Sequence, residues 1–126
     1  TLFGGEQWRP NVHVSDVARA IIAVLDAPLT QVSGEIFNVG SNENNFTISQ
    51  LGEFVKGVIP SAVLVHEEGQ GDKRNYQVDC SKIAHLGFKA QVSVLEGVQE
   101  TAKAFAQGKY QDVTNSIYYN DKWYGR

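Results

Sequence analysis

Apolar residues along this chain follow two alternating patterns. In some stretches they recur every three or four positions, which is the spacing of an amphipathic helix. Two of these stretches open with a capping box, in which a Ser or Thr hydroxyl and a Gln or Glu side chain three residues later satisfy free N–H groups. The pattern therefore predicts one helix from Thr47 to just before Pro60 and another from Ser93 to Gly108.

Two further helices are predicted from a single polar cap. Ser15 precedes a stretch with apolar residues on one face, which predicts a helix that runs to about Ala27. Asp79 is placed to cap a short helix from Cys80 to Leu86, because a carboxylate suits the positive end of the helix dipole.

The second pattern consists of short runs rich in Val, Ile and Phe, at residues 11–14, 35–39 and 62–66. Such runs are typical of buried strands. Strands that alternate with helices predict an α/β fold, here a small domain of alternating short strands and about four helices. The run at 35–39 leads into the polar loop 40–45, the position at which open α/β sheets tend to bind ligands.

The composition and the charge distribution argue against a nucleic-acid partner. A length of 126 residues suits one domain, and the overall composition is that of an ordinary globular protein. The net charge is -3, and the 11 basic residues are scattered among 14 acidic ones. A nucleic-acid-binding face needs clustered Lys and Arg, so no nucleic-acid partner is expected.

The compartment is expected to be the cytoplasm. Cys80 is the one cysteine, so no intrachain disulfide can form. No apolar run approaches the 18 residues of a membrane span, and the first ten residues do not resemble a signal peptide. We therefore expect no membrane partner. The absence of Met fits a chain cut from something longer, and removal of an initiator Met before the small Thr1 would look the same.

Most candidate catalytic and metal-binding patterns have simpler interpretations. The three histidines share no metal-ligand spacing with Cys80, which is better read as a packed apolar residue. The Gly69-Gln70-Gly71 run lacks the third glycine of a dinucleotide fingerprint. Tyr118 and Lys122 have the spacing of a dehydrogenase pair, but no helical pattern surrounds them. We predict no catalytic residue and no metal site.

Arg9 and Arg74 are the remaining candidates for chemistry. Guanidinium forks match phosphate oxygens in a bidentate way, and each arginine lies near an aromatic residue, Trp8 or Tyr76. A phosphate clamp is one interpretation of these residues. A pair of solvated surface cations is the other.

The order of segments resembles the C-terminal part of extended short-chain dehydrogenase/reductases, the NAD-dependent nucleotide-sugar epimerases and dehydratases. The resemblance runs from about Gly5 to Gly108. It is carried by an ordered set of motifs: Gln7 to Ala20 (QWRPNVHVSDVARA), Gly34 to Gly40 (GEIFNVG), and Asp72 to Tyr76 (DKRNY) followed by Asp79, Lys82, Leu86 and Gly87.

The resemblance implies the C-terminal portion of a Rossmann-type fold, with residues 1–108 as a substrate-binding region and 109–126 as an aromatic tail. It implies that Arg9 and Arg74 hold the diphosphate of a UDP-, dTDP-, GDP- or CDP-linked sugar, and that Asn38 and Tyr76 also contact this substrate. NAD or NADP would serve the parent enzyme. The fingerprint and the catalytic Tyr and Lys of the family precede the segment that this chain resembles, so we expect a fragment that binds no cofactor and is inactive alone.

Two alternatives remain open. The chain could be a free-standing module that binds a sugar nucleotide without catalysis, or an oligomerisation module. The aromatic tail, with two Tyr at 118–119 and Trp123-Tyr124, suits either an interface or a tail folded over its own domain. Surfaces that would pack against a missing half would be exposed, so a homo-oligomer is expected. The nucleotide base, the sugar and the reaction stay undetermined.

Overall fold

The computed structural model describes residues 1–67 and 72–119, and it has the predicted α/β character. Short strands and helices alternate along these residues. In chain order they are β1 (Leu2–Phe3), β2 (Trp8–Pro10), α1 (Val14–Asp26), α2 (Leu29–Val32), β3 (Asn45–Thr47), α3 (Ile48–Val58), β4 (His66–Glu67), α4 (Ser81–Ala84) and α5 (Val94–Ala106), with single 3-10 turns at Asn42–Asn44 and Ser116–Tyr118.

The strands form two small ladders. Strand β1 pairs with β4 in parallel, and β2 pairs with β3 antiparallel, with Arg9 opposite Phe46. The loop between β1 and β2 therefore brings the start of the chain against the start of α3. Gly52 in α3 permits this approach, because a Cβ there would lie 2.8 Å from Leu2 Cδ1.

Both predicted capping boxes are confirmed. At the start of α3, the Thr47 N–H donates to Gln50 Oε1 at 2.8 Å, and the Gln50 N–H donates to Thr47 Oγ1 at 3.2 Å. At the start of α5, Ser93 and Glu96 make the equivalent pair of bonds at 2.8 and 3.2 Å. The two helices pack against each other.

The other helix boundaries differ from the prediction. His13, not Ser15, caps α1, because its Nδ1 accepts a hydrogen bond from the Ser15 N–H at 3.2 Å. Asp79 does accept from the Ser81 N–H at 2.8 Å, but α4 is shorter than predicted and ends at Ala84. The short helix α2 follows Pro28, where the sequence pattern predicted only a helix end.

The predicted strands were placed less accurately than the helices. The strand predicted at 11–14 lies earlier, as β2 at Trp8–Pro10. In the run predicted at 62–66, only His66 belongs to a strand ladder. Residues 35–39 form no ladder with any other described segment. Side chains fix this segment to α4 instead. Glu35 forms an ion pair with Lys82, whose ammonium lies 4.9 Å from the centroid of the Phe37 ring.

The core lies where α1 and α4 meet the segment after α4. Its buried apolar members are Ala20, Cys80, Ile83 and Phe88. Asp16 is also fully buried. Its carboxylate accepts hydrogen bonds from the backbone N–H groups of Gln91 (2.8 Å) and Val92 (3.0 Å) and from the Arg19 guanidinium. Burial opposes ionisation of this carboxyl, but these bonds outweigh it and hold its pKa below the ordinary value.

The described part of the aromatic tail lies against the end of α5. The Phe105 and Tyr110 rings have centroids 4.9 Å apart, and Tyr110 meets Tyr118 edge-on at 5.6 Å. Trp123 and Tyr124, together with Lys122, lie outside the described residues, as does the Gly69 to Gly71 run.

Candidate functional site

Arg9 attaches the loop 72–76 to strand β2. Its Nη1 donates to the backbone oxygens of Trp8 (2.8 Å) and Arg74, and its Nη2 donates to the backbone oxygen of Asp72 at 2.9 Å. Only 18% of the side chain is exposed. These bonds fix the position of the Arg9 guanidinium and occupy three of its five N–H groups.

Arg74 projects from the same loop and is bound by Asp72. The Arg74 N–H donates to Asp72 Oδ1 at 3.0 Å, and its Nε lies 2.9 and 2.8 Å from the two carboxylate oxygens. The Arg74 side chain is nevertheless 75% exposed. Hydrogen bonding from Arg74 holds the pKa of Asp72 well below its usual range, at about 2, and the carboxylate in turn raises the pKa of Arg74.

The two guanidinium groups therefore meet at a single carboxylate oxygen. Asp72 Oδ2 lies 2.5 Å from Arg74 Nη2 and 3.6 Å from Arg9 Nη2. The two arginines are 65 positions apart in sequence. The fold thus places two permanent positive charges around one small anion-sized position at the surface.

Two further loop residues complete this site. The Tyr76 ring lies beside Arg9, with its centroid 5.6 Å from Cζ, and is 42% exposed. Asn75 Oδ1 accepts a hydrogen bond from the Trp8 N–H at 3.0 Å. We refer to Arg9, Asp72, Arg74, Asn75 and Tyr76 as the arginine site.

Asn38 has a different environment from the other three predicted site residues. Its Nδ2 donates to the backbone oxygen of Asp79 at 3.0 Å. No hydrogen bond joins it to Arg9, Arg74 or Tyr76 among the residues that the structure describes. Its amide thus holds the chain before α4 in place.

The polar loop after residue 39 attaches to the same segment. Asn45 forms two bonds with Val78, accepting from its N–H at 2.9 Å and donating to its oxygen at 3.1 Å. Asn42 accepts from the Cys80 N–H at 2.7 Å and donates to Asp79 Oδ1 at 3.2 Å. Together Asn38, Asn42 and Asn45 form an asparagine seam, which holds residues 78–80, shortly after the loop of the arginine site.

Histidine, cysteine and carboxylate side chains do not cluster as metal ligands within residues 1–67 and 72–119. Both ring nitrogens of His13 have partners, with Nδ1 2.7 Å from Ser15 Oγ and Nε2 3.1 Å from Glu100 of α5. Within the same residues, no helix has the length and apolar character needed to cross a membrane.

Asp72 belongs to the site although its role was not among the predictions from sequence. It belongs to the quoted motif DKRNY, but no function was assigned to it. A signal was available, because an Asp two residues before an Arg can accept the N–H of that residue and fix a turn. Its contact with Arg9 joins residues 63 positions apart and could not be read from local spacing.

Comparison with known proteins agrees with the motif order. A sequence model described as the NAD dependent epimerase/dehydratase family matches residues 1–40, which include Arg9. Over 106 residues the chain is 36% identical to a probable GDP-L-fucose synthase 1 of Oryza sativa subsp. japonica, covering 82% of the chain and 31% of the relative. The chain belongs to the NAD-dependent epimerase/dehydratase family.

Two Arabidopsis thaliana relatives extend this comparison. A UDP-D-apiose/UDP-D-xylose synthase 1 is 32% identical over 84 residues, covering 67% of the chain and 20% of the relative. A putative GDP-L-fucose synthase 2 is 33% identical over 110 residues, covering 85% and 32%. The chain spans about a third or less of the length of these epimerase/dehydratase relatives.

Proposed function

We propose that this chain forms the nucleotide-sugar-binding part of an NAD- or NADP-dependent epimerase or dehydratase. The observation that carries the proposal is the convergence of Arg9 and Arg74 on one anion-sized position. Charge-assisted bonds from two guanidinium groups suit a diphosphate, which has a negative charge on each phosphate. The names of the relatives refer to GDP- and UDP-linked sugars, which are therefore the first ligands to test.

The two arginines would contribute differently. Arg9 is fixed by three backbone oxygens and supplies a constant positive charge beside the loop. Arg74 is mostly exposed, and its side-chain hydrogen bonds to Asp72 use Nε and Nη2, which leaves Nη1 for a phosphate. We assign phosphate binding chiefly to Arg74, with Arg9 as a partner that also maintains the loop.

Tyr76 and Asn38 are proposed to contact other parts of the ligand. The exposed part of the Tyr76 ring offers an apolar surface next to the phosphate position. Asn38 uses its Nδ2 for Asp79, which leaves its side-chain oxygen to accept a hydrogen bond from a ligand hydroxyl.

Hydride chemistry is assigned to the parent enzyme and not to this chain alone. The 126 residues contain no G-x-G-x-x-G pattern, so we assign no NAD-binding residue here. A nicotinamide cofactor would supply hydride removal and return to the parent enzyme. The contribution of this chain would be to hold the substrate in a fixed orientation, which lowers the entropic part of the barrier.

We also propose that the chain associates with itself. Several large apolar side chains of α1, α2 and the segments 35–39 and 62–66 are strongly exposed. They are Val14, Leu25, Leu29, Ile36 and Val63, each at least 75% exposed. Apolar surface of this kind favours contact with further protein.

Calorimetric titration with GDP-, UDP-, dTDP- and CDP-linked sugars tests the binding role. We expect Arg74→Ala to weaken binding of the preferred ligand by about ten- to a hundredfold, since it removes charge-assisted bonds. Lys103→Ala is the matched control, because it removes an exposed cation from α5. Binding that is equally tight in wild type and Arg74→Ala would show that the phosphate role is wrong.

A further inference from the structure

The anion position of the arginine site is filled by a carboxylate of the chain itself. Asp72 Oδ2 lies between the two guanidinium groups, at 2.5 Å from Arg74 Nη2 and 3.6 Å from Arg9 Nη2. A phosphate oxygen that bridges both arginines would need this same position. Asp72 is 41% exposed, so it can turn out into water without opening the fold.

The two arginines differ in their hydrogen-bond partners and in their exposure. Arg9 donates to three backbone oxygens and is mostly covered. Arg74 is 75% exposed, and within the described residues Asp72 is the only group to which its side chain donates hydrogen bonds. Arg74 can therefore exchange one anion for another while Arg9 stays in place.

Electrostatics favours exchange over joint occupation. A phosphate next to a retained Asp72 would bring two like charges within a few ångströms, which raises the energy of the bound state. If the carboxylate leaves, the ligand takes over its bonds with both guanidinium groups and the repulsion falls. A ligand with two phosphates can replace the bonds to both arginines more completely than a single small anion can.

We propose that Asp72 is an internal counter-anion that the diphosphate displaces when the nucleotide sugar binds, an inference that rests on the function proposed above. Without ligand, the Asp72 carboxylate neutralises part of the charge of the two arginines and holds Arg74 in a fixed orientation. With ligand, it gives up its position. Asp72 therefore lowers the affinity of the site for phosphate groups.

The opposite role would be positioning, in which Asp72 stays bound and holds Arg74 for the ligand. The two roles predict opposite signs for Asp72→Asn. The amide oxygen of Asn can still accept the Arg74 N–H, so this variant preserves the turn while it removes the charge. Displacement predicts tighter binding, and positioning predicts weaker binding.

The experiment is calorimetric titration of the chain with inorganic pyrophosphate, and with GDP and UDP. We expect Asp72→Asn to bind about two- to fivefold more tightly than wild type, a range typical of removing one exposed competing ion pair. Asp112→Asn is the matched control. Asp112 accepts from the Thr114 N–H at 2.9 Å in the same type of turn, and it has no arginine partner in the described part of the chain.

The gain should also depend on Arg74. We expect a smaller gain from Asp72→Asn in an Arg74→Ala background, because the competing carboxylate then has only the Arg9 guanidinium, 3.6 Å away, to occupy. If Asp72→Asn binds pyrophosphate no better than wild type while Arg74→Ala binds it worse, the displacement inference is wrong and the proposed function stands. If Arg74→Ala binds as well as wild type, the proposed function itself is wrong.

Discussion

The buried carboxylate of Asp16 is expected to be a major contributor to the stability of this chain. It accepts two backbone hydrogen bonds from Gln91 and Val92 and forms an ion pair with Arg19. Its side chain is 1% exposed and that of Arg19 is 34% exposed. Asp16→Asn preserves the shape of the side chain but removes the charge, and its NH₂ group would face an N–H donor or the cation.

The size of the effect follows from these contacts. Breaking a buried ion pair costs about 3 to 5 kcal/mol, because the partner is left without compensation. Water can partly solvate Arg19, since about a third of it is exposed, so we expect the lower end, about 3 kcal/mol. That is a large part of the 5 to 15 kcal/mol that typically separates folded from unfolded domains.

Urea unfolding followed by circular dichroism measures this loss. With a slope of about 1.5 kcal/mol per molar urea, the midpoint should fall by about 2 M. Asp26→Asn is the matched control, because Asp26 is an exposed acid on the same helix and should change stability by no more than about 0.5 kcal/mol. If the two variants unfold at the same urea concentration, the assigned role of Asp16 is wrong.

The pH dependence gives a second test of the same carboxylate. The pKa of Asp16 is lower in the folded chain than the ordinary value of 3.8. A lowered pKa means that this stabilisation is present above about pH 4 and is lost as the pH falls through the folded value. The difference in unfolding free energy between wild type and Asp16→Asn should therefore be full at pH 7 and shrink below pH 4.

Two further predictions concern a thiol and the exposed apolar side chains. Cys80 is 6% exposed, and burial, aided by the charge of Asp79, raises the pKa of its thiol. We therefore expect a thiol reagent to react at least about tenfold more slowly with the folded chain than with the chain in urea. Equal rates would contradict this. We expect light scattering to show dimers or larger species, with Leu25→Glu shifting the mean mass downward. A strictly monomeric wild type would overturn the proposed self-association.

Helices were predicted from sequence more accurately than strands, because the signals that start a helix lie within a few consecutive residues. A capping box such as that at Thr47 is complete within four residues, so the sequence alone specifies it. In the run at 35–39 Phe37 and Val39 pack against the core, but a ladder also needs a neighbouring backbone, which local sequence does not specify. His13 was missed as a cap because histidine is uncommon at that position.

The site was predicted in part for the same reason. Arg9 and Arg74 were selected from their chemistry and from the motif order, and the structure brings them together. Asp72 could be seen as a turn residue from its spacing, but its place between two arginines depends on tertiary structure. Asp16 shows the same limit, because an acid in the first turn of a helix usually faces solvent.

The asparagine seam gives the chain two neighbouring attachments of different physical kind. Asn38, Asn42 and Asn45 hold the segment before α4 mainly through neutral amide bonds, whose strength changes little with ionic strength. The loop 72–76 is attached by the mostly covered Arg9 guanidinium, whereas its own Arg74–Asp72 ion pair is exposed, and dissolved salt weakens such a pair. Raising the salt concentration should therefore loosen the Arg74 side chain while the Arg9 attachment and the asparagine seam stay in place, so that a ligand can exchange at Arg74 without disturbing the core.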